Sequence, residues 1–239
     1  MKTLKEKWDI LRATGATEMP EELILRDDMD HVKIWEEYVK EDPGAICGQF
    51  TEHKTMSDVR RTNANLYEMM GVLNYLRPWG TIVEIGSGLE AFELLLNRYH
   101  QYIPFDILKH RKTTNILKGD GTIPCLDGIA DFIICHNVFQ HLTPKQRALY
   151  MDESCRVLKD RCRMFLSVTI DSDKNTDSRT LLGGQRWTVT GDYFTPYCNW
   201  DEVISWLSKK WNILSKIERY DAFTGLWMEK IEESVDESN

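Results

Sequence analysis

The feature that most constrains the fold of this chain is an alternation of short apolar strands and helices that begins at residue 81. A β-branched run there is followed by a glycine-bearing turn and an expected helix over residues 90–100. Further along, a buried strand is expected at 130–137 and a helix at 143–159, with Thr143 as its N-cap. This alternation predicts an α/β fold with a mostly parallel sheet and helices on both of its faces. The other expected strands span about residues 102–107, 113–120, 161–170, 211–221 and 223–232.

We expect two parts in the 239 residues: an N-terminal helical cap over residues 1–80 and an α/β core over residues 81–233. Within the core, residues 171–199 form a long polar connection that carries glycines and, toward its end, aromatic residues. A long connection in a compact domain is often functional, so we expect this one to contact the substrate. The polar residues 234–239 are predicted to be a disordered tail. Helices are expected in the N-terminal part near residues 8–11, 31–40 and 57–77.

The composition favours a packed globular protein rather than a nucleic-acid binder. Hydrophobic residues make up 42% of the chain and charged residues 28%, a balance that supports a buried core. The formal net charge of −8 would repel phosphate backbones, so nucleic acid is disfavoured as a partner. These properties favour a small-molecule substrate.

The six cysteines are scattered, and none belongs to a C-x-x-C pair. We therefore expect a reducing compartment, no disulfide framework and no metal site. The sequence shows neither a secretory signal nor an apolar run of the ~20 residues that a membrane-spanning helix needs. These features predict a soluble, cytoplasmic protein with no membrane partner, and they leave the oligomeric state open.

The glycines that follow the first strand are compatible with a plain tight turn and with two different cofactors. Gly86, Gly88 and Ala91 fit the dinucleotide pattern G-x-G-x-x-A, and Asp106 follows about 20 residues later, where such sites hold a ribose. An NAD(P)-dependent oxidoreductase is therefore one interpretation. Glu84 argues against it, because a carboxylate two residues before the turn would repel a pyrophosphate but attract a cationic ligand.

The residues VEIGSG, at 83–88, resemble the first motif of the class I S-adenosylmethionine-dependent methyltransferases. The residues ADFIICHNVFQHL, at 130–142, resemble the fourth-strand motif of a branch of that family that acts on small molecules. The likeness extends over about residues 81–232. It implies a Rossmann-like sheet of seven strands, the last antiparallel, and S-adenosyl-L-methionine as the cofactor. Glu90 stands where the family often has a third glycine.

The resemblance also implies which residues hold the cofactor. Asp106, at the end of the second strand, would bind both ribose hydroxyls, and Asp120 would bind the adenine amino group. The backbone of Asn137 and Val138 would lie near the cofactor. The cofactor-binding residues expected in this way are Glu84, Gly86, Ser87, Gly88, Asp106, Ile107, Asp120, Gly121, Asn137 and Val138.

The implied reaction transfers a methyl group from the sulfonium to an oxygen or nitrogen nucleophile of a small molecule. Because the donor is already activated, the enzyme mainly has to align the two reactants and exclude water. A base is needed only where the nucleophile must lose a proton. His141 is our candidate for that catalytic role, and a structural histidine that packs before Thr143 is the alternative.

The substrate is expected to contact the N-terminal helices and the connection at 171–199, and residues 50–61 are expected to close over the cofactor as a lid. One arginine of the connection would meet an anionic group, and its aromatic residues would form an apolar wall. An equally good interpretation is that these aromatic residues only tether the segment to the domain. The candidate substrate-binding residues are Arg186, Trp187, Tyr193 and Tyr197.

Two further functions stay open from the sequence alone. The first is the NAD(P)-dependent oxidoreductase that the glycine pattern allows. The second is a domain that binds S-adenosylmethionine without catalysis, or that breaks another bond of the sulfonium. Methylation of DNA amino groups is disfavoured, because the proline pair that follows the fourth strand in such enzymes is absent from the residues CHNVF at 135–139.

Overall fold

A computed structural model of the chain describes residues 4–41, 61, 64, 71–77, 79–109, 115–171, 181–207, 210–218 and 223–232. Most of the helix expected over 57–77 and most of the candidate lid at 50–61 lie outside these residues. The same holds for residues 172–180 of the polar connection and for the tail at 234–239.

Strands form along the core as the sequence predicts, but among the described residues of 81–232 only two α-helices lie between them. The α-helices are α1 (Leu4–Ala13), α2 (His31–Glu41), α3 (Pro144–Val157) and α4 (Trp200–Leu207). The first five strands are β1 (Thr81–Ile85), β2 (Gln101–Asp106), β3 (Asn115–Ile116), β4 (Ala130–Cys135) and β5 (Leu158–Thr169). The others are β6 (Leu181–Leu182), β7 (Gln185–Thr190), β8 (Tyr193–Pro196), β9 (Trp211–Glu218) and β10 (Phe223–Lys230). Short 3-10 helices span Glu21–Leu23, Val72–Tyr75, Phe92–Leu95 and Phe139–His141.

The main sheet has the strand order β3-β2-β1-β4-β5-β10-β9. Strands β1 to β5 pair in parallel, whereas β10 runs antiparallel to both of its neighbours, β5 and β9. Six of these strands have five or more residues, and β3 is a two-residue strand at the edge. The predicted Rossmann-like, mostly parallel sheet is therefore confirmed.

Both faces of this sheet are buried. Successive side chains of a strand point to opposite faces, and other elements pack on each face. On one face, Val83 of β1 belongs to a large apolar cluster with residues of α3 and α4. On the other face, Ile82 and Trp227 pack with Val72 and Phe92, which lie in two of the 3-10 helices. The central strands are thus fully covered, and their carboxyl ends form the edge where the polar residues gather.

The helix expected over residues 90–100 is a wrong prediction, since only the short 3-10 helix Phe92–Leu95 forms there. Glu90 has a φ of 53°, which lies outside the right-handed helical region. Leu96 at the other end is extended, with φ −85° and ψ 143°. A helix cannot pass through either residue, so the apolar periodicity of this segment is used for packing without a continuous α-helix.

Helix α3 begins where the sequence predicts. The Thr143 side chain accepts a hydrogen bond from the Gln146 amide at 3.2 Å, and the Gln146 side chain accepts one from the Thr143 amide at 3.0 Å. Pro144 occupies the first turn. This reciprocal capping box satisfies amide groups that a helix start leaves without partners, and it fixes the position of the segment between β4 and α3.

The described part of the long polar connection forms regular structure that the sequence did not predict. Strands β6, β7 and β8 form a separate antiparallel sheet of three strands. Phe194 of β8 is fully buried and packs with Leu11 and Met19 from the N-terminal part. A Cβ built on Gly183 would lie 2.3 Å from the carbonyl oxygen of Thr17. The N-terminal part and the three-stranded sheet are therefore packed closely together.

No helix within the described ranges is long and apolar enough to cross a membrane. The same ranges hold no group of three or more His, Cys, Asp or Glu side chains arranged to bind a metal ion. The five cysteines that fall within them, at 125, 135, 155, 162 and 198, are free thiols.

Candidate active site

The glycine turn after β1 is anchored on both sides. The amides of Gly86 and Ser87 donate to the Phe105 carbonyl of β2 at 2.8 and 3.0 Å. Gly86 has a φ of 70° and Gly88 a φ of 49°. A Cβ built on Gly86 would lie 2.1 Å from Cγ2 of Val138. Glycine is therefore required at position 86, because the turn lies directly against the residue that follows β4.

Glu84 is a buried carboxylate at the base of this turn. Its side chain is 1% exposed, and the Tyr102 hydroxyl of β2 donates a hydrogen bond to it. Burial raises the pKa of the Cys135 thiol on β4, and the negative charge of Glu84 raises it further. A buried negative charge two residues before Gly86 suits a cationic ligand and opposes a pyrophosphate.

Asp106 joins the end of β2 to the glycine turn. One of its carboxylate oxygens accepts from the Gly88 amide at 2.8 Å, and the other accepts from the Leu108 amide at 3.0 Å. Only 8% of the residue is exposed. Each oxygen can accept more than one hydrogen bond, so the predicted contact with ribose hydroxyls is compatible with these bonds. The sequence did not reveal that Asp106 also positions the turn.

Asp120 lies on an exposed loop after β3. Burial tends to raise its pKa, but hydrogen bonds from Thr122 and the charge of Lys118 outweigh that effect, and the pKa is lowered. The Thr122 amide donates to it at 2.9 Å. Gly121 has a φ of 90°, and a Cβ there would lie 2.5 Å from Cβ of Leu149. The loop therefore presents an ionised carboxylate on a backbone that is packed against α3.

The remaining predicted cofactor residues lie at the same edge of the sheet. Ile107 follows β2 directly, and its Cδ1 would be 3.4 Å from a Cβ built on Gly119. Asn137 has a φ of 59°, and its amide donates to the Ser167 hydroxyl at 2.8 Å. The structure thus places the residues after β1, β2, β3 and β4 at neighbouring carboxyl ends, with direct contacts between Gly86 and Val138 and between Gly88 and Asp106.

His141 ends the 3-10 helix that follows β4. Its Nδ1 lies 2.9 Å from the Thr190 hydroxyl of β7. The Trp35 ring of α2 meets the imidazole edge to face, with ring centroids 5.1 Å apart. The pKa of His141 is lowered to about 4, mainly by burial and also by the charge of Arg147. A hydrogen bond with the Val189 backbone raises this pKa but does not outweigh the two other effects. The imidazole is therefore neutral at physiological pH.

The four predicted substrate residues lie in or next to the three-stranded sheet. Arg186 donates from Nη1 to Asp171 Oδ1 at 2.7 Å, and both side chains are largely buried. Its charge is therefore compensated within the protein, which weakens its predicted role as a receptor for an anionic substrate. Trp187 packs against the cluster shared with the N-terminal part, while Tyr193 and Tyr197 are half-buried.

Residues 24–35, which we call the N-terminal strap, cross this edge of the sheet. The Leu25 amide donates to the Phe194 carbonyl of β8 at 2.9 Å. Further along, the Thr143 hydroxyl donates to the carboxylate of Asp27.

The strap then reaches the two sides of the site. The His31 Cβ would be 3.1 Å from a Cβ built on Gly119, which precedes Asp120. The strap ends at Trp35, beside His141. It therefore spans the distance between the predicted adenine-binding loop and the predicted acceptor side. The sequence predicted a helical cap but not this path.

Arg147 of α3 contacts the segment that ends at His141, and sequence reasoning did not single it out. Its side chain is fully buried. It donates to the Phe139 carbonyl at 2.9 Å, to the Pro196 carbonyl at 2.5 Å and to Glu202 at 3.2 Å. The sequence did contain a signal for its burial. Arg147 stands one helical turn before Tyr150 and Met151, so the three side chains lie on the same face of α3, which packs on the core.

Comparison with known protein families gives a match to part of the core. Residues 83–166 match the model of a family described as a methyltransferase domain. Among curated protein sequences, none matches the chain significantly. The matched residues run from β1 through β5 and include the glycine turn, Asp106, Asp120 and His141.

Solved structures of methyltransferases share the fold at low sequence identity. A phosphoethanolamine N-methyltransferase 1 from Haemonchus contortus, in complex with phosphoethanolamine and S-adenosylhomocysteine, aligns with a TM-score of 0.61 and 10% identity over 90% of this chain and 52% of its own. The 1,6-didemethyltoxoflavin-N1-methyltransferase of Burkholderia thailandensis aligns with a TM-score of 0.54 and 12% identity. That alignment covers 84% of this chain and 87% of the other. A protein from Methanosarcina mazei, described among SAM-dependent methyltransferases, aligns with a TM-score of 0.50 and 16% identity. That alignment covers 68% of this chain and 97% of the other.

Proposed function

We propose that this chain is a class I S-adenosylmethionine-dependent methyltransferase that transfers the methyl group to an oxygen or nitrogen nucleophile of a small molecule. The match of residues 83–166 to a methyltransferase domain and the order of the strands in the sheet support this family. The observation that carries the proposed acceptor class is the N-terminal strap, which crosses the carboxyl edge of the sheet and meets His141. A covered edge suits a small acceptor better than a polymer.

The residues at this edge fit the cofactor. Glu84 offers a buried negative charge for the ammonium group of the cofactor's amino-acid part, and Gly86, which lies against Val138, adds no side chain to the turn. Asp106 would accept from the ribose hydroxyls, and Asp120 from the adenine amino group. When bound, the cofactor supplies an activated methyl group on a sulfonium.

The protein's own contribution is alignment and the exclusion of water. The strap and β7 hold His141 from two sides, through Trp35 and through Thr190. A neutral imidazole there can exchange a hydrogen bond with the acceptor without adding positive charge beside a sulfonium. Two of the solved structures named above are N-methyltransferases of small molecules, which supports an acceptor of that kind.

The alternative functions receive less support. An NAD(P)-dependent oxidoreductase would have to place a pyrophosphate beside Glu84, which is 1% exposed and therefore poorly screened. A nucleic-acid acceptor is opposed by the net charge of −8. A domain that binds the cofactor without methyl transfer would need no residue in the position of His141, and an assay for transfer tests it directly.

The first experiment measures cofactor binding by titration calorimetry. We expect S-adenosylhomocysteine to bind and NADH not to bind, and the reverse result would contradict the proposal. A second measurement incubates the protein with methyl-labelled S-adenosylmethionine and a panel of small amines, alcohols and phenols. Label in a small-molecule product supports the acceptor class, whereas label only in nucleic acid or protein would overturn it.

Variants of the two carboxylates test the cofactor geometry. Asp106→Ala should weaken S-adenosylhomocysteine binding by about a hundredfold or more, since it removes two charge-assisted hydrogen bonds worth about 1.5–3 kcal/mol each. Asp120→Ala removes one such bond and should cost about tenfold. The Gly88 amide also loses its acceptor in Asp106→Ala, which adds to the larger effect. Equal or reversed losses would refute this ranking.

A further inference from the structure

Arg147 lies next to the segment that carries His141, and it is unusual because its charge is removed completely from solvent. Burying an arginine is costly unless every donor has a partner. Its Nε donates to the Phe139 carbonyl, its Nη2 to the Pro196 carbonyl, and its Nη1 to the Glu202 carboxylate. The planar fork of the guanidinium reaches all three in different directions, which a lysine ammonium cannot do in the same way.

These three partners belong to three elements that enclose the acceptor side. Phe139 begins the 3-10 helix after β4, Pro196 ends β8, and Glu202 lies in α4. The guanidinium therefore ties the segment that carries Gln140 and His141 to the three-stranded sheet and to a helix of the core.

The same segment has two direct contacts with the three-stranded sheet. The Thr195 hydroxyl of β8 donates to the Gln140 carbonyl at 2.7 Å. Thr190 of β7 holds the His141 ring at 2.9 Å. Arg147 lies behind these contacts and fixes the backbone from which they are made.

We propose that Arg147 is a positioning residue for methyl transfer, which locks the Phe139–His141 segment against the three-stranded sheet and thereby sets where His141 faces the acceptor. The inference rests on the proposed function and adds a residue to it. Arg147 itself touches neither cofactor nor acceptor in this role. It acts through Phe139 and Pro196, on either side of the site.

The charge of Arg147 also acts on His141. Three elements surround the imidazole. Helix α2 contributes the uncharged Trp35, and β7 contributes Thr190 and the Val189 backbone. Helix α3 contributes Arg147, which is paired with Glu202 of α4. After burial itself, Arg147 is the charged group that lowers the His141 pKa. A neutral His141 avoids a second positive charge beside the sulfonium.

Two variants separate the positioning role from the effect of charge. Arg147→Lys keeps the positive charge but loses the fork, and Arg147→Met removes both. The matched control is Arg156→Met, because Arg156 lies on the same helix, is 30% exposed and pairs with Glu153 and Asp127 away from this segment. All variants are studied as the full chain.

The first readout is amide hydrogen exchange at His141, whose amide donates to the Val138 carbonyl at 2.9 Å. We expect exchange at least about tenfold faster in Arg147→Lys than in the wild type, because the segment loses its anchor. Arg156→Met should leave this rate unchanged. Unchanged exchange in Arg147→Lys, or equal acceleration in Arg156→Met, would overturn the proposal.

The second readout is the pKa of the His141 ring, measured by NMR titration. In Arg147→Met this pKa should rise above the wild-type value because the charge that lowers it is gone, but it should stay well below 6.5 because burial, the main cause, remains. In Arg147→Lys and Arg156→Met it should stay at the wild-type value. An unchanged pKa in folded Arg147→Met would show that the charge of Arg147 does not act on His141. If Arg147→Met does not fold, the exchange rate in Arg147→Lys decides the question.

Neither readout requires a cofactor, so the two proposals can fail separately. If the wild type does not bind S-adenosylhomocysteine, the proposed function fails whatever the exchange rates show. If the wild type binds it and Arg147→Lys exchanges at the wild-type rate, only the role of Arg147 fails.

Discussion

Replacing Gly86 with alanine tests whether the turn after β1 is held by direct contact with Val138. Gly86 has a φ of 70°, and its added Cβ would lie 2.1 Å from Val138 Cγ2. The left-handed conformation alone costs an alanine about 1–2 kcal/mol. The overlap adds about 1–3 kcal/mol, the usual cost of overpacking. Gly86→Ala should therefore lower the free energy of unfolding by roughly 2–5 kcal/mol.

The matched control is Gly128→Ala, where φ is 57° and an added Cβ meets nothing within 4 Å. It should cost only the conformational part, about 1–2 kcal/mol. Urea denaturation measures both free energies, and in thermal unfolding each kcal/mol corresponds to roughly 2–4 °C. Affinity for S-adenosylhomocysteine should fall in Gly86→Ala alone, because only that change displaces the turn.

A double-mutant cycle isolates the contact. Val138→Ala removes the methyl group that the new Cβ would overlap, so it should restore stability in the Gly86→Ala background by about 1–3 kcal/mol relative to additivity. Two results would refute the reasoning: additive effects of the two changes, or equal losses in Gly86→Ala and Gly128→Ala.

Two further predictions concern α3 and the acceptor side. Thr143→Ala should cost about 1 kcal/mol in urea denaturation because it removes the helix cap, whereas Thr143→Ser, which keeps the hydroxyl, should stay close to the wild type; equal losses would count against the cap. His141 has a pKa of about 4 in the folded chain and 6.5 in the unfolded chain, so the unfolded chain binds more protons between these pH values. The free energy of unfolding should therefore fall as the pH drops from 6.5 to 4, by up to about 3 kcal/mol. His141→Gln should flatten that part of the stability profile, and a profile unchanged from the wild type would contradict the neutral imidazole.

Local sequence patterns were sufficient for the sheet and for the start of α3. The β-branched and apolar runs at β1, β2 and β4 form strands as predicted, because burial of both faces depends on the composition of each run. Thr143 caps α3 because a cap needs only residues within one turn of each other. Periodicity failed at residues 90–100, where the backbone of Glu90 leaves the helical region.

The candidate site was predicted in part for the same reason. Glu84 and Asp106 could be found because their roles follow from their places at the ends of consecutive strands. The pairing of Arg186 with Asp171 could not, since 15 residues separate them and only the fold of the connection brings them together. From the sequence we expected an anionic group of the substrate as the partner of Arg186, and the structure gives it Asp171.

The sequence by itself determined where the polar residues of the candidate site stand relative to the strands. An acidic residue and a glycine turn come at the end of the first strand, and carboxylates follow the next two strands. Tertiary structure alone decided what holds that chemistry in place. Arg147 meets acceptors that are 8, 49 and 55 residues away in the chain. The physical reason is that strands, turns and caps are set by neighbours in sequence. The partners of a buried charge are set by which distant segments pack around it.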